Sequence, residues 1–271
     1  MDSVYIHGTT ESEQNRLSVL NAFINDNYLK EINLQGGERI LDVGSGLGQF
    51  TRLLKKSAGP EAYVLGIERE TQQIEKAKAL AEQDGESNLV EIRQGSGYNL
   101  PLQDTEGGSS DVVHTRFLLE HVPDPLRIVQ QMAKAVKPGG RVILSDDDHD
   151  VLRLYPEPPG VMEVWRAYIR TYDRLGNDPF IGRRLVSLLH QAGLQPVRNG
   201  FVFFGGCAGE EKFDNLVMNL AEVIRSAREA VLTQHLCEAA YFDQAIETLY
   251  AWGQRPDVSL WYPLCFAEGR G

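Results

Sequence analysis

The chain has 271 residues, 42% of them hydrophobic, enough for one sizeable α/β domain with insertions rather than two independent domains. Its 27 basic against 38 acidic residues give a formal charge of −11, which disfavours a nucleic-acid partner because phosphate binding rests on Lys and Arg. There is no run of 18 apolar residues and so no expected membrane span, and MDSVYIHGTTESEQ lacks the basic patch and apolar stretch of a secretory signal. Cys207, Cys237 and Cys265 are far apart without CxxC spacing, and read as three reduced, mostly buried thiols of a cytoplasmic protein, not a zinc site or disulfide framework.

In chain order, residues 1–10 read as extended or irregular. Ser12 to Lys30 reads as a helix with Leu17, Leu20, Phe23, Ile24 and Tyr28 on one side, capped by Thr10 or Ser12. Then comes ILDVGSGLGQF, residues 40–50. Ile40, Leu41 and Val43 around Asp42 predict a buried parallel strand, and Gly44, Gly46 and Gly48 predict a tight turn into a helix. Strand, glycine turn and helix form the arrangement in which a nucleotide-like ligand sits at the carboxyl end of a parallel sheet. The dinucleotide fingerprint GxGxxG requires glycine where Gln49 stands, which disfavours NAD. A second strand, Ala62 to Ile67, ends at Glu68, where a carboxylate can accept from both hydroxyls of a ribose. Asp42 is placed to meet a cationic amine, directly or through water. Ribose plus ammonium, without a pyrophosphate cradle, suits S-adenosylmethionine better than NAD.

Beyond Glu68 and Arg69, Thr71 to Gln83 predicts an amphipathic helix, and Leu89 to Arg93 a third strand that leads into Gln94-Gly95-Ser96-Gly97. Asp111 to Thr115 predicts a fourth strand ending in Arg116-Phe117-Leu118-Leu119-Glu120-His121. After a helix over 125–136, Lys137-Pro138-Gly139-Gly140 turns into a fifth strand, Arg141 to Leu144.

LDVGSGLG, the GIE strand end and VKPGGRVILSD together resemble the class I S-adenosylmethionine-dependent methyltransferases, in particular the small-molecule enzymes similar to the ubiquinone/menaquinone-biosynthesis C-methyltransferases. The resemblance is dense over residues 38–150 and looser outside. It implies a Rossmann-like, seven-stranded, mostly parallel sheet with an antiparallel last strand, an N-terminal helical lid over 1–37 and an inserted helical cap within 151–271, all in one domain. It also implies S-adenosyl-L-methionine as cofactor and a small-molecule acceptor. In such proteins the N-terminal segment covers the cofactor pocket, which makes Tyr5 and His7 lid candidates, and the loop after strand three carries an acidic residue where this chain has Ser96. By the same resemblance Asp42, Gly44, Ser45, Gly46, Gly48, Glu68, Arg69, Gly95, Ser96 and Gly97 hold the cofactor. Backbone groups near Thr115 and Arg116 face its sulfonium.

On the acceptor side, His121 is a candidate base, set against a role in ordering the Pro123-Asp124-Pro125 turn. The run Ser145-Asp146-Asp147-Asp148-His149-Asp150 falls at a strand's carboxyl end, where acceptor chemistry is expected. Asp148 and His149 are its candidates, whereas Asp146 and Asp150 read as turn or cap residues. Adjacent aspartates alone do not define a metal site, and none is assigned. Val161 to Leu175 predicts a helix carrying Met162, Trp165, Tyr168, Ile169 and Tyr172, which either lines an acceptor pocket or packs on the sheet. Arg183 and Arg184 are placed to reach an acidic acceptor or to lie in solvent. A sixth strand within 194–204, helices over 210–228 and 230–252, and a last strand over 258–267 complete the chain, with Pro263 favouring an edge or bulge. A non-catalytic protein that binds S-adenosylmethionine or a partner on the same fold is the alternative reading.

Overall fold

The structure, a computed structural model, describes residues 24–174 and 176–271, apart from the side chain of Arg174. Tyr5, His7 and most of the Ser12–Lys30 helix lie outside the described residues; residues 24–32 are helical (α1).

A seven-stranded sheet forms the centre. Its strands are β1 (Arg39–Val43), β2 (Tyr63–Glu68), β3 (Glu91–Gln94), β4 (Ser110–Arg116), β5 (Val136–Asp146), β7 (Gln195–Val202) and β10 (Leu264–Arg270), in the order β3-β2-β1-β4-β5-β10-β7. β10 is antiparallel to both of its neighbours, and the other six strands run one way. Alternation along the strands sets the two faces. Ile40, Val64, Val112, Ile143 and Phe266 face a core shared with α1 and α2 (Gln49–Ala58), whereas Leu41, Leu65, Val113, Leu144 and Ala267 pack against α4 (Pro125–Ala135) and α6 (Leu185–Gln191). The helix α3 (Thr71–Gln83) links β2 to β3. The order of the strands reverses direction at β1 and β4, so their carboxyl ends open a crevice there.

A cap covers the far half of the first face. It contains α5 (Val161–Arg170), α7 (Phe213–Ser226), α8 (Arg228–Thr233) and α9 (Ala239–Gly253). A small antiparallel sheet joins them, β6 (Arg153–Tyr155), β9 (Ser259–Trp261) and β8 (Gly205–Cys207), in the order β6-β9-β8. This sheet is absent from the sequence reading and corrects the last strand. Residues 258–267 divide between two sheets, because Pro263 has no N–H to continue a ladder and falls in the break between β9 and β10. The helix expected over 230–252 is also two helices. Its backbone closes at His235, whose φ is 55°, with His235 N–H donating to Leu232 O and Leu236 N–H to Val231 O. Of the three cysteines, none bridged, Cys265 is buried, Cys237 half-buried and Cys207 exposed, which corrects the expectation of mostly buried thiols. Among the described residues no helix is long and apolar enough to cross a membrane.

Candidate functional site

The glycine turn builds the first half of the site. Gly44 and Ser45 N–H both donate to Ile67 O (2.8 and 3.0 Å), which folds the loop back over β2. At Gly46 (φ 52°) a Cβ would meet nothing within 4 Å, so the backbone there opens on free space. Its N–H donates to Glu68 Oε2 at 2.9 Å, and Glu70 N–H donates to Oε1 at 2.8 Å. Two backbone donors thus clamp the Glu68 carboxylate at the end of β2.

These residues line a cavity of about 280 Å³ at the carboxyl ends of β1, β2 and β4. Of the expected cofactor residues, Asp42, Gly44, Ser45, Gly46, Glu68, Arg69, Gly95, Ser96, Gly97 and Arg116 line it. Thr115 and Gly48 do not. Thr115 is buried with Oγ1 donating to Val43 O at 2.8 Å, and a Cβ on Gly48 would point at Ile92 Cδ1, so both serve the scaffold. Asp42 is fixed on both oxygens: Thr51 Oγ1 donates to Oδ2 at 2.6 Å and His114 Nδ1 lies 2.8 Å from Oδ1. If that nitrogen carries the ring proton, Nε2 accepts from the Tyr28 hydroxyl at 2.8 Å, and burial keeps this phenol protonated by raising its pKa. His114 and Tyr28 escaped the sequence reading, since nothing in either segment marks a partner so far along the chain.

Arg116 is half-buried over the rings of Phe50 (4.0 Å) and Tyr28 (5.0 Å), with Nη1 donating to Asn25 Oδ1 at 3.1 Å. Burial brings its pKa down to about 10, against the pull of Tyr28 and Asp42, so it stays a cation. Ser96 Oγ accepts from Tyr98 N–H at 3.2 Å. Ser45 Oγ is buried without a hydrogen-bond partner among the described residues, on the cavity wall. An orphaned hydroxyl beside an open glycine and a clamped carboxylate fits a polar, hydroxyl-bearing ligand such as a nucleoside.

The second half begins where β4 ends. Phe117 takes a φ of 55°, uncommon for a bulky residue, with its N–H donating to Ser145 O at 3.1 Å. Leu118 and Leu119 N–H donate to Asp146 Oδ2 (3.1 and 2.7 Å). Burial, then the charges of Glu120 and Asp147, drive the Asp146 carboxyl pKa well up. This anchoring presents Glu120 and His121 to a cavity of about 90 Å³ lined also by Asp147, His149, Trp165, Tyr168, Tyr172, Phe204 and Tyr262. The aromatic residues of α5 and the turn after it therefore do line a pocket.

His149 is the hub of that pocket. Its Nδ1 lies 2.6 Å from the Tyr262 hydroxyl, and its Nε2 lies 3.1 Å from both Glu120 Oε2 and the Tyr172 hydroxyl. Burial opposes the charged ring, but the Glu120 hydrogen bond and the charges of Glu120, Asp147 and Asp148 outweigh it and raise the pKa. Glu120 Oε1 in turn lies 3.3 Å from His121 Nε2, giving a His149–Glu120–His121 chain. Burial, with the nearby carboxylates, pushes the Tyr172 and Tyr262 phenols well above 10, so both hydroxyls stay neutral.

Asp148 departs from its expected role. It lines neither cavity; Arg183 grips it through Nε and Nη2, both at 2.6 Å, and it caps the short turn at His149–Val151 by accepting from Asp150 N–H. Its charge is used to pin a loop. Arg183 and Arg184 pair with Asp148, Asp150 and Asp178 and line neither of the two cavities. Glu120, Asp147 and Tyr262 are the site residues that the sequence did not single out. Phe117 and His121 line both cavities, so the two meet there.

A sheet of this order, with a glycine turn at its switch point and an acid clamped at the end of the second strand, defines the Rossmann-like methyltransferase class. The family model described as a methyltransferase domain matches residues 15–199, and the chain belongs to that family. It is 34% identical, over 61% of its length and 46% of the relative, to an uncharacterized 37.1 kDa protein in a transposon of Streptomyces fradiae. It is 35% identical, over 45% of its length and 46% of the relative, to a demethylmenaquinone methyltransferase of Lactococcus lactis. A solved SAM-dependent methyltransferase from Aquifex aeolicus shares the fold with a TM-score of 0.54 at 21% identity, over 72% of this chain and 94% of that one. The chain spans about half the length of the curated relatives it matches.

Proposed function

We propose that the protein is an S-adenosylmethionine-dependent methyltransferase whose acceptor is a small molecule held in the aromatic cavity. The observation that carries this reading is the meeting of a polar, nucleoside-sized cleft and an apolar aromatic pocket at two shared residues, Phe117 and His121. Glu68 would hold the ribose hydroxyls, Ser45 and Gly46 would face the nucleoside, and Asp42 and Arg116 would serve the charged amino-acid end. Bound there, the donor supplies an electrophilic methyl group on a sulfonium, already a good leaving group.

The task left to the chain is alignment and proton removal. The rings of Trp165, Tyr168 and Tyr262 exclude water and hold the acceptor's apolar body. With Nε2–H of His121 directed to Glu120, its Nδ1 is the basic nitrogen, and it takes the acceptor's proton as the nucleophilic atom closes on the methyl carbon. Glu120, shared with His149, stabilises the imidazolium that results. The Lactococcus lactis relative is named for demethylmenaquinone, which supports an apolar ring-bearing acceptor. Three unbridged cysteines support placement in the cytoplasm.

The test is incubation with methyl-labelled S-adenosylmethionine and a low-mass metabolite extract. Label in a product of low mass is the expected result. Binding of S-adenosylhomocysteine without any labelled product would leave a binding protein instead, and a cleft that takes NADH in preference would overturn the reading altogether.

A further inference from the structure

We propose that Glu120, Asp147 and His149 form a site for one divalent first-row transition-metal ion, open toward the aromatic cavity. This deepens the acceptor-side reading and rests on it for what the ion would touch. A ligand atom from each of the three residues lies within 4.8 Å of the other two, a small side-chain shift from the roughly 4.2 Å that opposite ligands of one such ion span. The three do not form a run of surface acids. Glu120 arrives from the turn after β4, and Asp147 and His149 from the loop after β5. The neighbouring aspartates are used elsewhere, Asp146 on the backbone of Leu118 and Leu119 and Asp148 on Arg183.

A second observation points the same way. Imidazole ligands are oriented by a hydrogen bond on the nitrogen that does not bind the metal. Tyr262 makes that contact at His149 Nδ1, 2.6 Å away, which turns Nε2 toward Glu120. Two carboxylates, with an imidazole whose Nε2 proton the ion displaces, balance a doubly charged ion in a poorly hydrated place, where uncompensated acids are costly. The mixture of nitrogen and oxygen donors suits manganese, iron or zinc better than calcium. Three protein ligands leave coordination positions open, the arrangement of ions that handle a substrate. The acceptor class that this site fits carries a hydroxyl on an apolar ring system, the oxygen going to the ion and the ring to Trp165, Tyr168 and Phe204. An ion there lowers the pKa of the oxygen it holds, which eases loss of the hydroxyl proton to His121.

The experiment uses the full chain, stripped with EDTA and titrated with Mn²⁺ followed by electron paramagnetic resonance. One bound equivalent is expected, weakened at least about 10-fold by Asp147→Asn and by His149→Gln, and unchanged by Asp150→Asn, an exposed acid of the same run. S-adenosylhomocysteine affinity is measured on every variant. Retained affinity with lost Mn²⁺ supports the site; a wild type that binds neither Mn²⁺ nor Zn²⁺ at millimolar concentration, or variants that bind as wild type does, overturn it. If the wild type binds Mn²⁺ but not S-adenosylhomocysteine, the cofactor reading fails and the ion site stands. Should the variants not fold, Co²⁺ quenching decides. The Trp165 ring lies 5.4 Å from that of His149, so quenching is expected in the wild type and reduced in Trp165→Phe. Equal quenching in both proteins overturns the proposal.

Discussion

The two cavities share a wall but are made by opposite means. The cleft proposed for the donor is largely a matter of backbone: a turn of glycines, N–H groups directed at Glu68, and a loop tied to Ile67 O. The pocket proposed for the acceptor is a matter of side chains, gathered from the turn after β4, the loop after β5, α5, α7 and the β9–β10 break. A backbone cradle demands particular residue types at fixed spacing, and it suits one unchanging ligand. A side-chain pocket lets one scaffold take many acceptors by varying its lining. The difference predicts that substitutions on either side act separately.

The sharpest break comes at the shared residue. His121→Ala should lower the rate of methyl transfer at saturating donor by about 10²- to 10⁴-fold, the range of a lost general base. Affinity for S-adenosylhomocysteine should hold, which calorimetry checks. A loss of affinity as large as the loss of rate would make His121 a holder of the donor and erase the division. Next in size is Glu68→Ala, which removes the clamped carboxylate. Hydrogen bonds to a charged group are worth about 1.5–3 kcal/mol, so the donor should bind about 10- to 100-fold more weakly while the acceptor pocket is unaltered.

That division also explains what was legible in the sequence. The individual strands and helices could be read because apolar periodicity and glycine turns are local signals, whereas the antiparallel last strand and the cap were what the resemblance of the motifs implied. Asp42 and Gly46 could be read because they sit within or beside the glycine turn, and Glu68 because it ends the next strand. Glu120 and Tyr262 could not, although both stand in segments that drew notice, since a side chain's role there depends on contacts 29 and 113 residues away, to His149. Asp148 misled for the same reason. In the run of acids nothing distinguishes the one that Arg183 captures from the one that faces the cavity. Pro263 was expected at an edge or bulge of one strand and instead falls between two, because a single strand with an irregularity and two strands in different sheets share one sequence pattern.

A third prediction asks what holds the donor half together. Glu106 is buried under β1 and β3, with Arg93 Nη1 donating to Oε2 at 2.7 Å and Arg39 Nη2 3.4 Å from Oε1. The Arg93 hydrogen bond, against burial and with the Gln103 N–H, holds the carboxyl below its ordinary pKa of 4.5. A depressed carboxylate contributes stability that is present above the ordinary value and lost as pH falls through the folded one. Glu106→Gln should therefore cost about 2–3 kcal/mol at neutral pH, below the full cost of breaking a wholly buried pair because Arg93 is partly solvated. The gap from wild type should close on acidification, as read by urea unfolding at several pH values. A gap that stays constant with pH would assign the loss to packing.

The smallest effect sharpens the backbone side. Gly48 lines no cavity, yet it stands at φ 68° where the loop enters α2, and a Cβ there would lie 2.6 Å from Ile92 Cδ1 on β3. The left-handed conformation costs an ordinary residue about 1–2 kcal/mol. The clash adds little, because the atom met is the end of a flexible side chain that can turn away. Gly48→Ala should thus lower stability by about 1–2 kcal/mol, measured by urea unfolding, and leave S-adenosylhomocysteine affinity nearly intact. Gly46 stands at the same sign of φ but opens on the cleft, so Gly46→Val should weaken binding as well. If Gly48→Ala weakened binding as much as Gly46→Val, the loop would act as one unit, and assigning one glycine to the ligand and the other to the fold would be wrong.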